Sequence, residues 1–326
     1  MPPKKKPEVE KKILLGRPSN HLKMGLVGLP NVGKSTTFNV LSNINVPAEN
    51  FPFCTIDPNM AKIFVPDQRF DKLCDMYKPK SKVMATVDIT DIAGLVKGAA
   101  DGAGLGNAFL SHISATDGIF HVVRAFKNDE VIHDMGDVDP IRDMEVIHGE
   151  LIAKDKQALA KSIEEIDKVI ARKSMKADKD EKEILLKVEQ LFEEMKNVRD
   201  GDWKAGEIET LNKHQFLTAK PVVYLVNIAE EEYVTKKNKW LPKINEWIQA
   251  HGGGPMIPYS AEFESKVIAN GTDPEIRKKA AADMGAPSII NRIIRVGYST
   301  LRLIHFFTAG PDEVRAWTVR DGSKAP

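Results

Sequence analysis

Two cysteines, Cys54 and Cys74, are all that the 326 residues contain, and they stand far apart without metal-ligand spacing. A disulfide-stapled scaffold and a zinc ribbon are both excluded, and a reducing compartment fits. A dominant charge is also missing: 47 Lys and Arg against 46 Asp and Glu leave a formal charge of +1, so bulk charge names no partner. Long hydrophobic runs are absent as well. Apolar stretches such as Val222 to Val226 fall far short of the ~20 residues that span a bilayer, so no membrane helix is expected. The basic start, Met1 to Pro7, lacks the apolar segment of a secretory signal. It reads as a disordered tail rather than a nuclear or nucleic-acid address. A cytoplasmic location is expected, with a nuclear or nucleolar pool as the alternative. What remains is a globular composition, 42% hydrophobic and 29% charged, long enough for about two domains.

The run Leu22 to Val27 leads into Gly28-Leu29-Pro30-Asn31-Val32-Gly33-Lys34-Ser35-Thr36, after which Thr37 to Leu41 reads as helix. Further strands are expected at Ala61 to Val65, Val83 to Ile89, Gly118 to Arg124, Val222 to Val226 and Met256 to Tyr259. Helical patterns between them predict crossovers and a mostly parallel α/β sheet. From Glu150 to Asp200, 25 of 51 residues are charged, 12 basic and 13 acidic. Within that stretch Ile152, Leu159, Ile163, Ile166 and Ile170 keep helical spacing. After a polar break at Ser174 to Lys179 the pattern resumes at Ile184, Val188, Leu191, Met195 and Val198. These features predict an inserted antiparallel coiled-coil hairpin with a solvated, charged outer face, to which ribosome or nucleic-acid contact is an optional addition. A last helix is expected from Ser288 to about Leu301. Beyond it, Leu303 to Thr308 and Val314 to Val319 read as a hairpin that opens another small domain, because two strands alone are marginal in water.

Gly28 to Ser35 matches the phosphate-binding pattern G-x-x-x-x-G-K-[ST] between a strand and a helix. The main-chain amides of Asn31, Val32, Gly33, Lys34, Ser35 and Thr36 would surround the phosphates, Lys34 would reach the β and γ oxygens, and the Ser35 hydroxyl would ligate Mg²⁺. Asp91-Ile92-Ala93-Gly94 supplies a D-x-x-G element, with Asp91 holding a water on Mg²⁺ and the Gly94 amide sensing the γ-phosphate. Thr55, in a proline-punctuated loop between the two, is placed to close over the metal, or it is a simple turn hydroxyl. Asn227-Ile228-Ala229-Glu230 stands where a GTPase presents N-K-x-D, and Ser260-Ala261-Glu262 supplies the loop that closes the base pocket. Asn227 is expected at the purine edge, at N7 or N6, and Ile228 either covers the ring or contributes its backbone. Glu230, one methylene longer than Asp, and Ile228 in place of lysine weaken a guanine reading.

Together Gly28 to Thr36, Asn50 to Pro58, Asp91 to Gly106, Asn227 to Glu230, Ser260 to Glu262 and Phe306 to Trp317 resemble the YchF or Obg-like ATPase family of P-loop proteins. The likeness covers nearly the whole chain from His21 onward. It implies a G domain interrupted by a coiled-coil hairpin and followed by a TGS domain, a preference for or acceptance of ATP with GTP used less well or comparably, and association with ribosomes or ribosomal RNA. The expected division is a tail over residues 1–20, the G domain over 21–135 and 206–302, the helical insertion over 136–205, and part of a TGS domain over 303–326.

Leu95 follows the D-x-x-G glycine where Ras-like switches carry a water-orienting glutamine, so a slow intrinsic rate is expected. His112, beyond the glycine-rich stretch Gly94 to Gly106, is the candidate to aid the water or the γ-phosphate; an ordinary helix-face histidine is the other reading. Asn31 either ligates K⁺ near the leaving group or braces the loop. The leading expectation is a slow Mg²⁺-dependent triphosphatase acting as a switch, monomer favoured. The competing class is a nucleotide-regulated ribosome- or RNA-binding module whose hydrolysis is incidental. A P-loop kinase lacks an evident acceptor pocket or lid.

Overall fold

Strands buried on both faces read as continuous apolar runs, and Gly118–Arg124 and Val222–Asn227 are buried at every position. The computed structural model describes residues 15–16, 22–43, 59–92, 94, 111–128, 136–172 and 175–322. Its main sheet has the spatial order Met60–Phe64 (β2), Thr86–Asp91 (β4), Lys23–Val27 (β1), Gly118–Arg124 (β5), Val222–Asn227 (β6) and Met256–Tyr259 (β7). All neighbours run parallel except β2, which pairs antiparallel with β4 at the edge. The order places β1 between β4 and β5, so the loops after these strands meet at one end of the sheet, where ligands of open α/β sheets bind.

The expected strand Val83 to Ile89 is two strands. Ser81–Val83 (β3) belongs to a second sheet with Leu303–Ala309 (β8) and Glu313–Arg320 (β9), and only Thr86–Asp91 joins the main one. The side-chain alternation runs through the switch at Met84-Ala85, which is why the sequence conceals it. The C-terminal hairpin thus gains a third strand, β3, parallel to β9. It also packs on helix α2 (Gln68–Tyr77; α1 is Lys34–Asn43), where Phe70 and Cys74 bury Val314.

Helix α3 (Pro140–Arg172) spans two cores. Met144, Ile147 and Leu151 pack on the main sheet, whereas Ile152, Leu159 and Ile166 belong to an outer cluster with Ile184, Leu185, Val188 and Phe192 of α4 (Lys176–Glu193). The expected apolar face of the second helix is offset. Met195 is 48% exposed with a left-handed φ of 54°, because the helix stops at Glu193 and its buried stripe is Leu185, Val188, Phe192. Full burial of Phe192 and Leu185 contributes about 1.5–3 kcal/mol each. The outer cluster continues past residue 205, through Leu211 of α5 (Ala205–His214) to Phe216 and Ala219. There a buried Asp155 on α3 accepts from the Leu217 and Thr218 amides and the Thr218 hydroxyl. Further helices include α6 (Glu230–Thr235), α7 (Leu241–Ala250), α8 (Ala261–Ala269), α9 (Pro274–Asp283) and α10 (Ile290–Thr300). Among the described residues no helix is long and apolar enough to cross a membrane.

Candidate nucleotide-binding site

The loop between β1 and α1 takes its shape from close backbone approach. Gly33 has φ +99°, and a Cβ there would lie 2.5 Å from Asn227 Nδ2, so a side chain is excluded both by conformation and by contact. Gly94 of the D-x-x-G element rests on Pro30 of the loop, with 3.0 Å between its would-be Cβ and the proline ring. Lys34 is buried, and its ammonium donates to the Leu29 carbonyl at 2.7 Å, across the concave side of the loop. The Ser35 hydroxyl donates to Asp91 Oδ2 at 2.8 Å. Asp91 Oδ1 is buried and, among the described residues, meets no hydrogen-bond donor. A hydroxyl and a carboxylate with an unsatisfied oxygen at the start of α1 are the hard oxygen donors that Mg²⁺ takes.

Behind the loop the groups hold one another. Asn227, buried at the end of β6, donates from Nδ2 to the Val32 carbonyl and accepts at Oδ1 from the Ala261 amide, both at 3.0 Å. It therefore ties the loop between β1 and α1 to the start of α8. Thr37 donates to the Gly33 carbonyl and meets the Tyr259 hydroxyl at 2.5 Å; burial pushes that phenol well above its ordinary range. The Ser260 hydroxyl caps α8 by accepting from the Phe263 amide, and the Ile228 amide is bonded to the Tyr259 carbonyl.

A cleft of about 550 Å³ opens beside these groups. Its phosphate end is lined by Asn31 and Gly33 to Thr36, and its far end by Phe126 to Asn128, Asn227 to Ala229, Ala261, Glu262 and Ser265. Its floor rests on Arg124, almost wholly buried at the end of β5. The guanidinium stands 4.5 Å from the Phe126 ring centre and reaches the Asn31 carbonyl at 3.4 Å and the Asn128 carbonyl at 3.3 Å. Burial draws its pKa down, and the charge of Asp143 on α3 opposes that shift.

The model of a family described as "50S ribosome-binding GTPase" matches residues 23–186. A rice protein named Obg-like ATPase 1 is 54% identical over all of this chain and 83% of its own length. The human Obg-like ATPase 1 is 53% identical with the same coverage. The solved structure of the fission yeast YchF GTPase superposes with a TM-score of 0.86 at 47% identity, covering 96% of this chain and 84% of that one. The chain belongs to the Obg-like ATPase (YchF) family. It is a P-loop nucleotide hydrolase by descent and by fold.

Set against that family, the residues expected from the sequence divide. Asn31 to Thr36, Asp91, Gly94, Asn227, Ile228, Ala261 and Glu262 stand at or beside the cleft. Glu230 and Ser260 do not line it: Glu230 pairs with Lys266, and the Ser260 hydroxyl is spent on the α8 cap. His112 is exposed on a helical run at 111–114 and is not part of the cleft lining. Thr55 and Leu95, with the rest of their loops, lie outside the described residues. Phe126, Lys127, Asn128 and Ser265 also line the cleft, and none of them belongs to a motif the sequence displays. Their one sequence signal is position, since Phe126 to Asn128 follow the carboxyl end of a central parallel strand.

Proposed function

We propose that this Obg-like ATPase family member is a slow Mg²⁺-dependent triphosphatase that takes ATP in preference to GTP and works as a ribosome-associated switch. The observation that carries the reading is the Ser35 hydroxyl on the Asp91 carboxylate at 2.8 Å, with the Lys34 ammonium folded against the same loop. Ser35 and Asp91 would hold Mg²⁺, Asp91 through a water, with Thr55 closing over it. The ion, when bound, neutralises charge on the phosphate oxygens. Lys34 would leave the Leu29 carbonyl for the β and γ oxygens, and loop amides would take the remaining phosphate charge. Gly94, packed on Pro30, would carry the state of the γ-phosphate into the loop that follows it.

At the far end the Phe126 ring, backed by Arg124, offers apolar cover for a purine, and Ile228, whose side chain is buried in the main core, borders the cleft between Asn227 and Ala229. Adenine preference is supported by Glu230 standing outside the cleft lining, since guanine asks for a carboxylate opposite N1–H and N2–H₂. Ribosome association follows the description of the matching family model, and the charged α3–α4 hairpin and the start of a TGS domain at β8–β9 are its proposed contact surfaces.

The deciding experiment measures binding and single-turnover hydrolysis of labelled ATP and GTP with Mg²⁺, with and without ribosomes. ATP-selective binding, slow turnover and stimulation by ribosomes are expected. Tight binding without turnover under any condition would leave the binding-module reading. His112→Ala should abolish hydrolysis and spare binding if that residue aids the water. Equal rates in KCl and NaCl would leave Asn31 as a brace, a role its carbonyl already has toward Arg124.

A further inference from the structure

The ammonium of Lys266, on α8, lies between two carboxylates that come from different loops. It is 2.9 Å from Glu262 Oε1, one helical turn back, and in direct contact with Glu230 Oε2 at the start of α6. Both acids flank the base end of the cleft, one following β6 and the other β7. Glu262 lines the cleft, whereas Glu230, three residues after Asn227, is drawn sideways to the lysine and does not. The hydrogen bonds that the ammonium donates to Glu230 and then to Glu262 raise the lysine's pKa, so the tether stays charged throughout the neutral range.

We propose that Lys266 is a specificity-determining residue: anchored on Glu262, it draws the Glu230 carboxylate out of the cleft lining, withholds it from the base edge and so disfavours guanine relative to adenine. The proposal rests on the reading of this cleft as a purine nucleotide site. Guanine presents two adjacent donors, N1–H and N2–H₂, which one carboxylate can accept together. Adenine presents an acceptor at N1, which a carboxylate opposes. A base pocket whose Glu230 carboxylate is held elsewhere leaves guanine's donors unmatched while adenine loses nothing. Selectivity would then come from where the acids are anchored as well as from which acids are present.

Lys266 is half exposed, and exposed ion pairs add little to folding stability, so its replacement should keep the fold. The test measures dissociation constants for ATP and GTP by calorimetry on the wild-type chain, Lys266→Met, and Lys266→Met with Glu230→Gln. In Lys266→Met the preference for ATP over GTP should fall about threefold or more through tighter GTP binding, and the added Glu230→Gln should restore it at least half-way. A smaller change, or one produced by weaker ATP binding alone, overturns the proposal. A double variant that behaves like the single one overturns the part given to Glu230. A wild-type chain that binds neither nucleotide overturns the nucleotide-site reading itself, and one without ATP preference overturns the proposal but not that site.

Discussion

The two ends of the cleft are built by different means. At the phosphate end the backbone fixes the geometry: a glycine at φ +99°, a second glycine against a proline ring, and a lysine folded on its own loop. At the base end side chains restrain other side chains: an asparagine spanning two loops, an arginine under a phenyl ring, and a lysine between two glutamates. Backbone geometry tolerates almost no substitution, whereas a side-chain lattice can be retuned one residue at a time. Phosphate binding should therefore fail abruptly and base selection should change by degrees.

The sharpest way to test that contrast is at the phosphate end. Lys34→Ala should cut single-turnover hydrolysis roughly a hundred- to thousandfold, in the range found when a preorganised charge facing the reacting group is removed. Gly33→Ala, which drives a methyl into Asn227, should abolish binding by calorimetry; retention of wild-type affinity would break the comparison. Next comes the joint between the ends. Asn227→Ala strands the Val32 carbonyl and the Ala261 amide, at about 1–3 kcal/mol for each buried group left unpaired, and should weaken ATP and GTP alike.

A smaller, graded effect is expected within the base end. Phe126→Ala should cost about 1 kcal/mol of affinity, in the range measured for base–aromatic contacts, with turnover of the bound nucleotide unchanged. A loss of turnover at saturating nucleotide would blur the two ends into one. The smallest effect concerns Glu264, buried on α8, where it accepts from the Ser288 hydroxyl and the Ile289 amide. Burial raises its pKa above the ordinary 4.5. The folded state therefore holds its proton more tightly than the unfolded one. Stability from this group is present below 4.5 and is lost as pH rises through the raised value. Glu264→Gln should flatten that slope in urea midpoints taken across the acid range.

The same contrast explains what the sequence made legible. Backbone-determined features leave motifs, so Gly28 to Ser35, Asp91 to Gly94 and the core strands could be read from spacing; β5 and β7 start and end where expected. Side-chain lattices leave none. Nothing in the order of residues says that Glu230 turns to a lysine 36 positions later, or that Arg124 is buried beneath Phe126. The switch of sheets at Met84-Ala85 was hidden for a related reason, since alternation reports which face a residue takes and not which strand it bonds. Met195 was misplaced because a period of three or four fits two neighbouring stripes, and only the partner helix chooses between them.

Helix α3 is a single rod rooted beside the cleft floor, where Asp143 in its first turn acts on Arg124, and it leaves the main core at Leu151. From there to Arg172 it projects roughly 30 Å at about 1.5 Å per residue. Rocking such a lever by about 5° at its fulcrum sweeps the free tip through about 3 Å. Anything that grips the tip thus has a mechanical purchase on the Asn31 and Asn128 carbonyls that Arg124 holds beside the cleft.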